Sequence, residues 1–247
     1  AVKPSMLAAF NNEVSHFTEF ETATVVSELN TGQVSCPVYL NEFWTSKQRA
    51  ANALHEVSYR ACFKPQLPCF FIERLTQPGD VVYDPFMGRG TTLLEAALLG
   101  RKVVGCDVNP LSQILLGGRL NPPTLTAVKQ RLEDIDLARI DVECPEELLV
   151  FYHSETLLAV ASLRAYFLER AAANELDPVD AWIRMVATNR LTGHSPGFFS
   201  VYTMPPNQAV TAKRQAIINE KRNQVPPIRD VRAIILKKSR SLLKGLD

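Results

Sequence analysis

Hydrophobic and polar positions follow two periods along the chain. Residues 81–84 (Val-Val-Tyr-Asp) and 102–107 (Lys-Val-Val-Gly-Cys-Asp) are short apolar runs that each end in an acid. Such runs predict buried parallel strands. Between them, residues 91–99 place Leu93, Leu94, Ala97 and Leu98 on one helical face, and Gly100 ends the helix. Asn109-Pro110 opens a further helix through about residue 120. Strand, loop, helix and strand in close succession predict one right-handed βαβ unit. Upstream, residues 1–60 read as mixed and irregular. Residues 34–40 alternate weakly, as an edge strand, because Pro37 lacks the amide a central strand needs. Residues 66–76 read as a helix with Pro68 in its first turn, and Gln77-Pro78-Gly79-Asp80 as a turn.

Downstream the strand signal fades. Val128, Leu132 and Ile135 recur at helical spacing within 126–140. Residues 153–173 form a strong helical pattern with a polar stripe of Glu155, Ser162 and Glu169. Asp177-Pro178 caps and opens a helix through about residue 189. Residues 193–206 read as a loop with a brief strand-like stretch at 198–202. From Asp230 the chain reads as a basic amphipathic helix with Val231, Ile234 and Ile235 inside.

The 247 residues allow one large domain or a core with an appendage. Hydrophobic residues at 46% and charged residues at 21% are globular values and exclude disorder, collagen and coiled coil. No run of 18 apolar residues occurs, so no membrane span is expected. The first six residues lack the apolar core of a signal peptide. Five cysteines without a C-x-x-C pair argue for reduced thiols, a cytoplasmic location and no zinc site. The net charge of +1 hides an asymmetry. Residues 205–247 hold ten Lys/Arg against three acids, and the preceding 204 hold 17 basic against 23 acidic residues. A basic segment on an acidic body points to a polyanionic partner or an acidic neighbouring segment.

The loop Asp84-Pro85-Phe86-Met87-Gly88-Arg89-Gly90-Thr91-Thr92 lies between a strand and a helix, where open α/β sheets bind ligands. Gly88 and Gly90 permit close backbone approach, and Thr91 and Thr92 stand at a helix N-terminus able to hold a carboxylate. A Walker A loop requires a lysine after its last glycine, and none follows Gly90. The dinucleotide fingerprint requires a small third residue where Leu93 stands. The remaining nucleotide reading is S-adenosylmethionine: ribose on Asp107, adenine on Val108, and the methionine end near Thr91 and Thr92.

Asp84-Pro85-Phe86-x-Gly88-x-Gly90-Thr91-Thr92, followed by Gly105-Cys106-Asp107-x-Asn109-Pro110, resembles motifs I and II of the amino-group DNA methyltransferases. These enzymes methylate N4 of cytosine or N6 of adenine. Phe63-Lys64-Pro65-Gln66-Leu67 resembles their motif X, which packs around the methionine part of the cofactor. The resemblance covers residues 55–120 closely. Residues 189–195 and on through 230–232 are similar, with less specificity, to helical inserts in some of these proteins. The contacts it implies are Phe63, Lys64, Asp84, Phe86, Gly88, Gly90, Thr91, Thr92, Asp107 and Val108. The implied fold class is α/β: a Rossmann-like class I methyltransferase sheet, incomplete here, with a helix-rich insert and a C-terminal extension. The expected organisation is a cofactor-binding region 1–121 (motifs X, I, II), a helical region 122–204 and a basic segment 205–247 leading toward a catalytic half.

In that family the chemistry sits in a [D/N/S]-P-P-[Y/F/W] loop that hydrogen-bonds the target amine and stacks on the flipped base. The sequences Asn121-Pro122-Pro123-Thr124, Met204-Pro205-Pro206-Asn207 and Val225-Pro226-Pro227-Ile228 do not fit it. The Asn121 site reads as a helix terminator. No catalytic residue is therefore assigned. Cytosine-C5 chemistry is disfavoured too: Pro68-Cys69 precedes motif I, and Cys144-Pro145 has the reverse order.

The function the resemblance implies is the S-adenosylmethionine-binding portion of an N4-cytosine or N6-adenine DNA methyltransferase in a restriction-modification setting, inactive alone. The alternatives are an RNA methyltransferase or a non-catalytic cofactor-binding subunit. Expected partners are DNA, a complementary catalytic half or subunit, and a second copy of the chain; a membrane is not expected. Lys237, Lys238 and Arg240 are the candidate nucleic-acid contacts. Cys106, Trp44, Trp182, Phe198, Phe199 and Tyr202 are expected to be core side chains. His16, His55 and His153 share no metal-ligand spacing and read as structural. His194 suits either a phosphate or a loop hydrogen bond.

Overall fold

The computed structural model describes residues 4–45, 51–59, 62–204 and 210–246. Of the sequence motifs weighed above, Pro205-Pro206 lies outside them. The fold is mixed α/β, and the chain divides into two compact units interleaved along the sequence. The first comprises residues 1–51, 63–87 and 91–106; the second comprises 52–62, 88–90 and 107–247.

In the first unit, α1 (Pro4–Ser15) precedes an antiparallel ribbon of β1 (Val25–Asn30) and β2 (Ser35–Leu40). Pro37 faces Glu28 across that two-stranded ribbon, in keeping with an edge position. Helix α2 (Gln66–Leu75) follows. Val14, Phe17 and Phe70 form a small core, with Phe10, Phe20, Tyr39, Phe43 and Trp44 packed against it. The Arg74 guanidinium stands 3.9 Å over the Phe70 ring and pairs with Glu13 at 2.8 Å. The predicted turn is present: the Asp80 amide donates to the Gln77 carbonyl at 3.0 Å.

Strand β3 (Val81–Asp84), helix α3 (Thr91–Leu98) and strand β4 (Lys102–Gly105) then form the predicted unit, with β3 and β4 parallel and Val82 opposite Val103. One expectation needs correction. The strands are not buried: Val81, Tyr83 and Val104 are 60%, 59% and 52% exposed. The sheet has only these two strands among the described residues, and α3 packs against both of them. Alternation sends successive side chains to opposite faces, leaving Val81, Tyr83 and Val104 uncovered. Cys106, just past β4, is likewise exposed rather than core, its thiol 3.6 Å from the Tyr83 hydroxyl. In α3 the buried residues are Thr91, Leu93, Leu94, Glu95 and Ala96; Leu98 is exposed.

In the second unit, α4 (Pro110–Leu120) is capped by Asn109, whose side chain accepts from the Leu111 amide. Asn121 ends it, and Thr124 caps α5 (Leu125–Asp134), so the Asn121-Pro122-Pro123 stretch is an interhelical link. Helix α6 (Ser154–Ala172) is capped by His153. Its expected polar stripe is only partly solvated: Ser162 is fully buried and accepts from the Arg139 amide at 3.2 Å. Helix α7 (Pro178–Arg190) opens with a capping box between Asp177 and Asp180. Helices α8 (Ala212–Arg222) and α9 (Val231–Leu242) follow. Trp182, Ile183, Met185, Val186, Val128, Leu132 and Ile235 are fully buried. Ile234, expected inside, is half-buried. Phe198 and Phe199 are buried, whereas Tyr202 is partly exposed beneath the Arg222 guanidinium.

Two polar ties and one close backbone crossing hold these helices together. Trp182 Nε1 donates to Ser239 Oγ at 2.9 Å, joining α7 to α9. Buried Asp180 accepts from Arg131, from the Tyr166 hydroxyl at 3.0 Å and from Arg170 Nε at 2.6 Å, joining α5, α6 and α7. At Gly118, a Cβ would lie 2.9 Å from the Ala181 carbonyl oxygen, so α4 and α7 cross backbone to backbone. No helix among the described residues is long and apolar enough to cross a membrane.

Candidate cofactor site

Within the first unit lies the end of the parallel pair. Asp84 and Gly105 close the β3–β4 register. Beyond it, the Cys106 amide donates to the Asp84 carbonyl and the Met87 amide to the Cys106 carbonyl, both at 3.1 Å. The Asp84 carboxylate accepts from the Phe86 amide at 3.0 Å, which fixes the start of the loop. The Phe86 ring itself is 87% exposed. Thr91 is buried at the first turn of α3 and Thr92 is half-buried. Phe63 and Lys64, exposed, stand just before α2. A Cβ at Gly105 would lie 2.3 Å from Leu93 Cδ1 and 3.3 Å from the Asp84 carbonyl oxygen, so Leu93 would have to shift to admit one.

Within the second unit lie Gly88, Gly90, Asp107 and Val108. The Gly88 amide donates to Asp107 Oδ2 at 2.8 Å, and the Asn109 amide donates to Asp107 Oδ1 at 2.8 Å. These amides, Asn109 first and Gly88 second, hold the Asp107 carboxyl below the usual carboxylate range. Each of its oxygens has then used one acceptor site and retains another. Val108 is fully exposed beside it. Gly88 and Gly90 take φ of +51° and +81°, the left-handed region where a side chain is strained. A Cβ at Gly90 would also lie 2.6 Å from Leu116 Cδ1.

Two arginines that the sequence reading did not single out hold this loop. Arg89 Nη1 donates to the carbonyls of His55 at 3.1 Å and Val57 at 2.9 Å. Arg119, 1% exposed, donates to the carbonyls of Leu115 at 2.7 Å, Leu54 at 3.2 Å and Arg89. Burial, and to a lesser extent the Arg89 charge, pushes the Arg119 guanidinium down to about 9. The available signal was an arginine on the apolar face of α4, beside Leu115 and Leu116. Of the basic trio proposed from sequence, Lys238 is half-buried and pairs with Glu56 at 3.5 Å, while Lys237 and Arg240 are exposed.

Residues 17–112 match the family model described as DNA methylase. This stretch is similar to the DNA methylase family. A type II methyltransferase, M.MjaII of Methanocaldococcus jannaschii, is 31% identical over 91 residues, which cover 37% of this chain and 17% of that protein. Another, M.MvaI of Kocuria varians, is 31% identical over 118 residues, covering 47% of this chain and 24% of that one. A tRNA (guanine(10)-N2)-dimethyltransferase of Methanocaldococcus jannaschii is 28% identical over 130 residues, covering 51% of this chain and 35% of that one. The chain thus matches about a third or less of the length of these methylase relatives. No solved structure matches it significantly.

Proposed function

We propose that the chain carries the S-adenosylmethionine-binding portion of an amino-group DNA methyltransferase, of the N4-cytosine or N6-adenine kind, built on a Rossmann-like sheet. The observation that carries this reading is the Asp107 carboxylate, oriented by the Gly88 and Asn109 amides with an acceptor site left on each oxygen. That is the donor–acceptor set two vicinal ribose hydroxyls require. The fully exposed Val108 beside it offers an apolar surface for a purine ring. The residues present therefore fit an adenosyl group. The resemblance adds Gly88 and Gly90 as backbone contacts and Phe63, Lys64, Asp84, Phe86, Thr91 and Thr92 as further contacts.

When bound, S-adenosylmethionine supplies a methyl group on a positively charged sulfur. This chain's residues bind and orient; removing hydrogen-bond freedom from the target amine requires an acceptor-Pro-Pro-aromatic loop, which its Pro-Pro pairs do not provide. Methyl transfer accordingly needs that loop from elsewhere. The type II methyltransferases among its relatives support DNA as substrate and a restriction-modification setting.

Calorimetric titration with S-adenosylmethionine tests the reading. Binding by the unaltered chain and a loss of tenfold or more in Asp107→Ala are expected. Absence of heat, or an unchanged affinity in Asp107→Ala, overturns it. Robust DNA methylation by the 247 residues alone would overturn the division of labour. A second reading, RNA methylation, has one observation in its favour, the 130-residue match to a tRNA dimethyltransferase. Competition between duplex DNA and tRNA for the chain separates the two.

A further inference from the structure

A cleft of about 720 Å³ lies wholly within the second unit, lined by the end of α7, the loop after it, residues 228–230 and α9. Four cations, Arg190, Arg229, Lys237 and Lys238, face it with one carboxylate, Asp230. That carboxylate is committed to capping α9, accepting from the Ala233 amide at 2.9 Å. Among the described residues, Lys238 has Glu56 as its ion-pair partner at 3.5 Å, and Arg190, Arg229 and Lys237 make no ion pair. Arg190 is braced without an acid. Its Nε and Nη2 donate to the Asn189 carbonyl at 3.1 Å and side-chain oxygen at 2.6 Å, and its guanidinium stands 4.2 Å over the Phe198 ring. Nε of Arg229 is buried without a hydrogen-bond partner. Burial holds both Arg190 and Lys238 below their ordinary values, and Arg190 adds repulsion at Lys238. An anion in the cleft reverses these penalties.

We propose that this cleft seats the phosphate backbone of a nucleic acid against Arg190, Arg229, Lys237 and Lys238. The choice of a nucleic acid rests on the methyltransferase reading above. A volume of about 720 Å³ suits a run of backbone better than one phosphate, since drug-sized ligands fill roughly 300–1,000 Å³. The cations also come from three chain segments rather than one, as a row of phosphates requires. The Ser195 and Ser241 side chains at the cleft suit phosphate oxygens too. Arg240, grouped with the two lysines by sequence, belongs to a different cleft with Pro122, Pro123 and Lys244, and serves as a built-in control.

The test is fluorescence anisotropy of a labelled 20-base-pair duplex with the full chain, free of cofactor, over a series of salt concentrations. Affinity is expected to fall with salt, with a logarithmic slope of about −0.9 per phosphate contacted. Lys237→Gln with Lys238→Gln lowers affinity about tenfold or more and reduces the slope by about two, whereas Arg240→Gln leaves both unchanged. Lys237→Gln alone, at an exposed position with circular dichroism unchanged, reduces the slope by about one. An unchanged slope in Lys237→Gln, an equal effect of Arg240→Gln, or no duplex binding overturns the proposal. So does displacement of the duplex by inorganic phosphate beyond its ionic-strength effect, or by polyglutamate as readily as by unlabelled duplex. Because no cofactor is present, this outcome is independent of the Asp107 titration.

Discussion

Helix α7 and the β3–β4 pair are both apolar, yet they are treated very differently. Trp182, Ile183, Met185 and Val186 are fully buried, since α7 packs against α4, α5 and α9 of its own unit. Val81, Tyr83 and Val104 are more than half exposed, since α3 covers one face of their sheet. Apolar composition reports what a segment can bury, and burial itself depends on how many faces have neighbours. Stability should therefore be concentrated in the helical unit.

Trp182→Ala is expected to cost about 3–5 kcal/mol, through a cavity and the loss of the partner of Ser239. Tyr83→Ala should cost under about 1 kcal/mol. Equal shifts in urea midpoint would break the contrast. Adjacent glycines of α4 sharpen it further. Gly118→Ala forces a Cβ against the α7 backbone and is expected to destabilise by about 1–3 kcal/mol. Gly117→Ala meets nothing within 4 Å and should stabilise by about 0.5–1 kcal/mol through helix propensity. Thermal melts of the two variants should move in opposite directions.

The smallest effect concerns pH. Arg139 forks onto Asp141 at 2.6 and 3.0 Å and onto Glu169 at 2.7 and 2.8 Å, and these bonds hold both carboxyls below their usual range. Carboxyls depressed in the folded state add stability above their unfolded values, near about 4, and that stability is lost as pH falls through the folded values. The unfolding midpoint of the wild type should fall more steeply below about pH 4 than that of Arg139→Gln. Parallel pH profiles would remove the role assigned to the fork.

Elements with strong local punctuation were legible in the sequence. Asn109-Pro110, Asp177-Pro178 and Asp230 each cap a helix where expected, and β3 begins and ends as predicted. Helices α1 and α8 and strand β1 were not anticipated. Each has at most one buried residue, Val14 in α1 and Gln215 in α8, so no apolar stripe advertises it. In the candidate site, the residue types Gly88, Gly90 and Asp107 were readable through their motif. The Gly88–Asp107 hydrogen bond was not, because it joins residues 19 positions apart through a backbone amide that leaves no mark in the sequence. The division of the basic trio between two clefts was not legible either. Neighbours in sequence on a helix point in different directions, and Arg240 turns to another cleft.

Arg119 and Arg89 donate to main-chain oxygens at Leu54, His55, Val57, Arg89 and Leu115. Every residue type presents that same oxygen. These bonds do not read which side chains stand at positions 54, 55 and 57. Leu54, His55 and Val57 are all buried, so packing, and not these bonds, limits what can stand there, a scaffold whose fastening does not depend on its ornament.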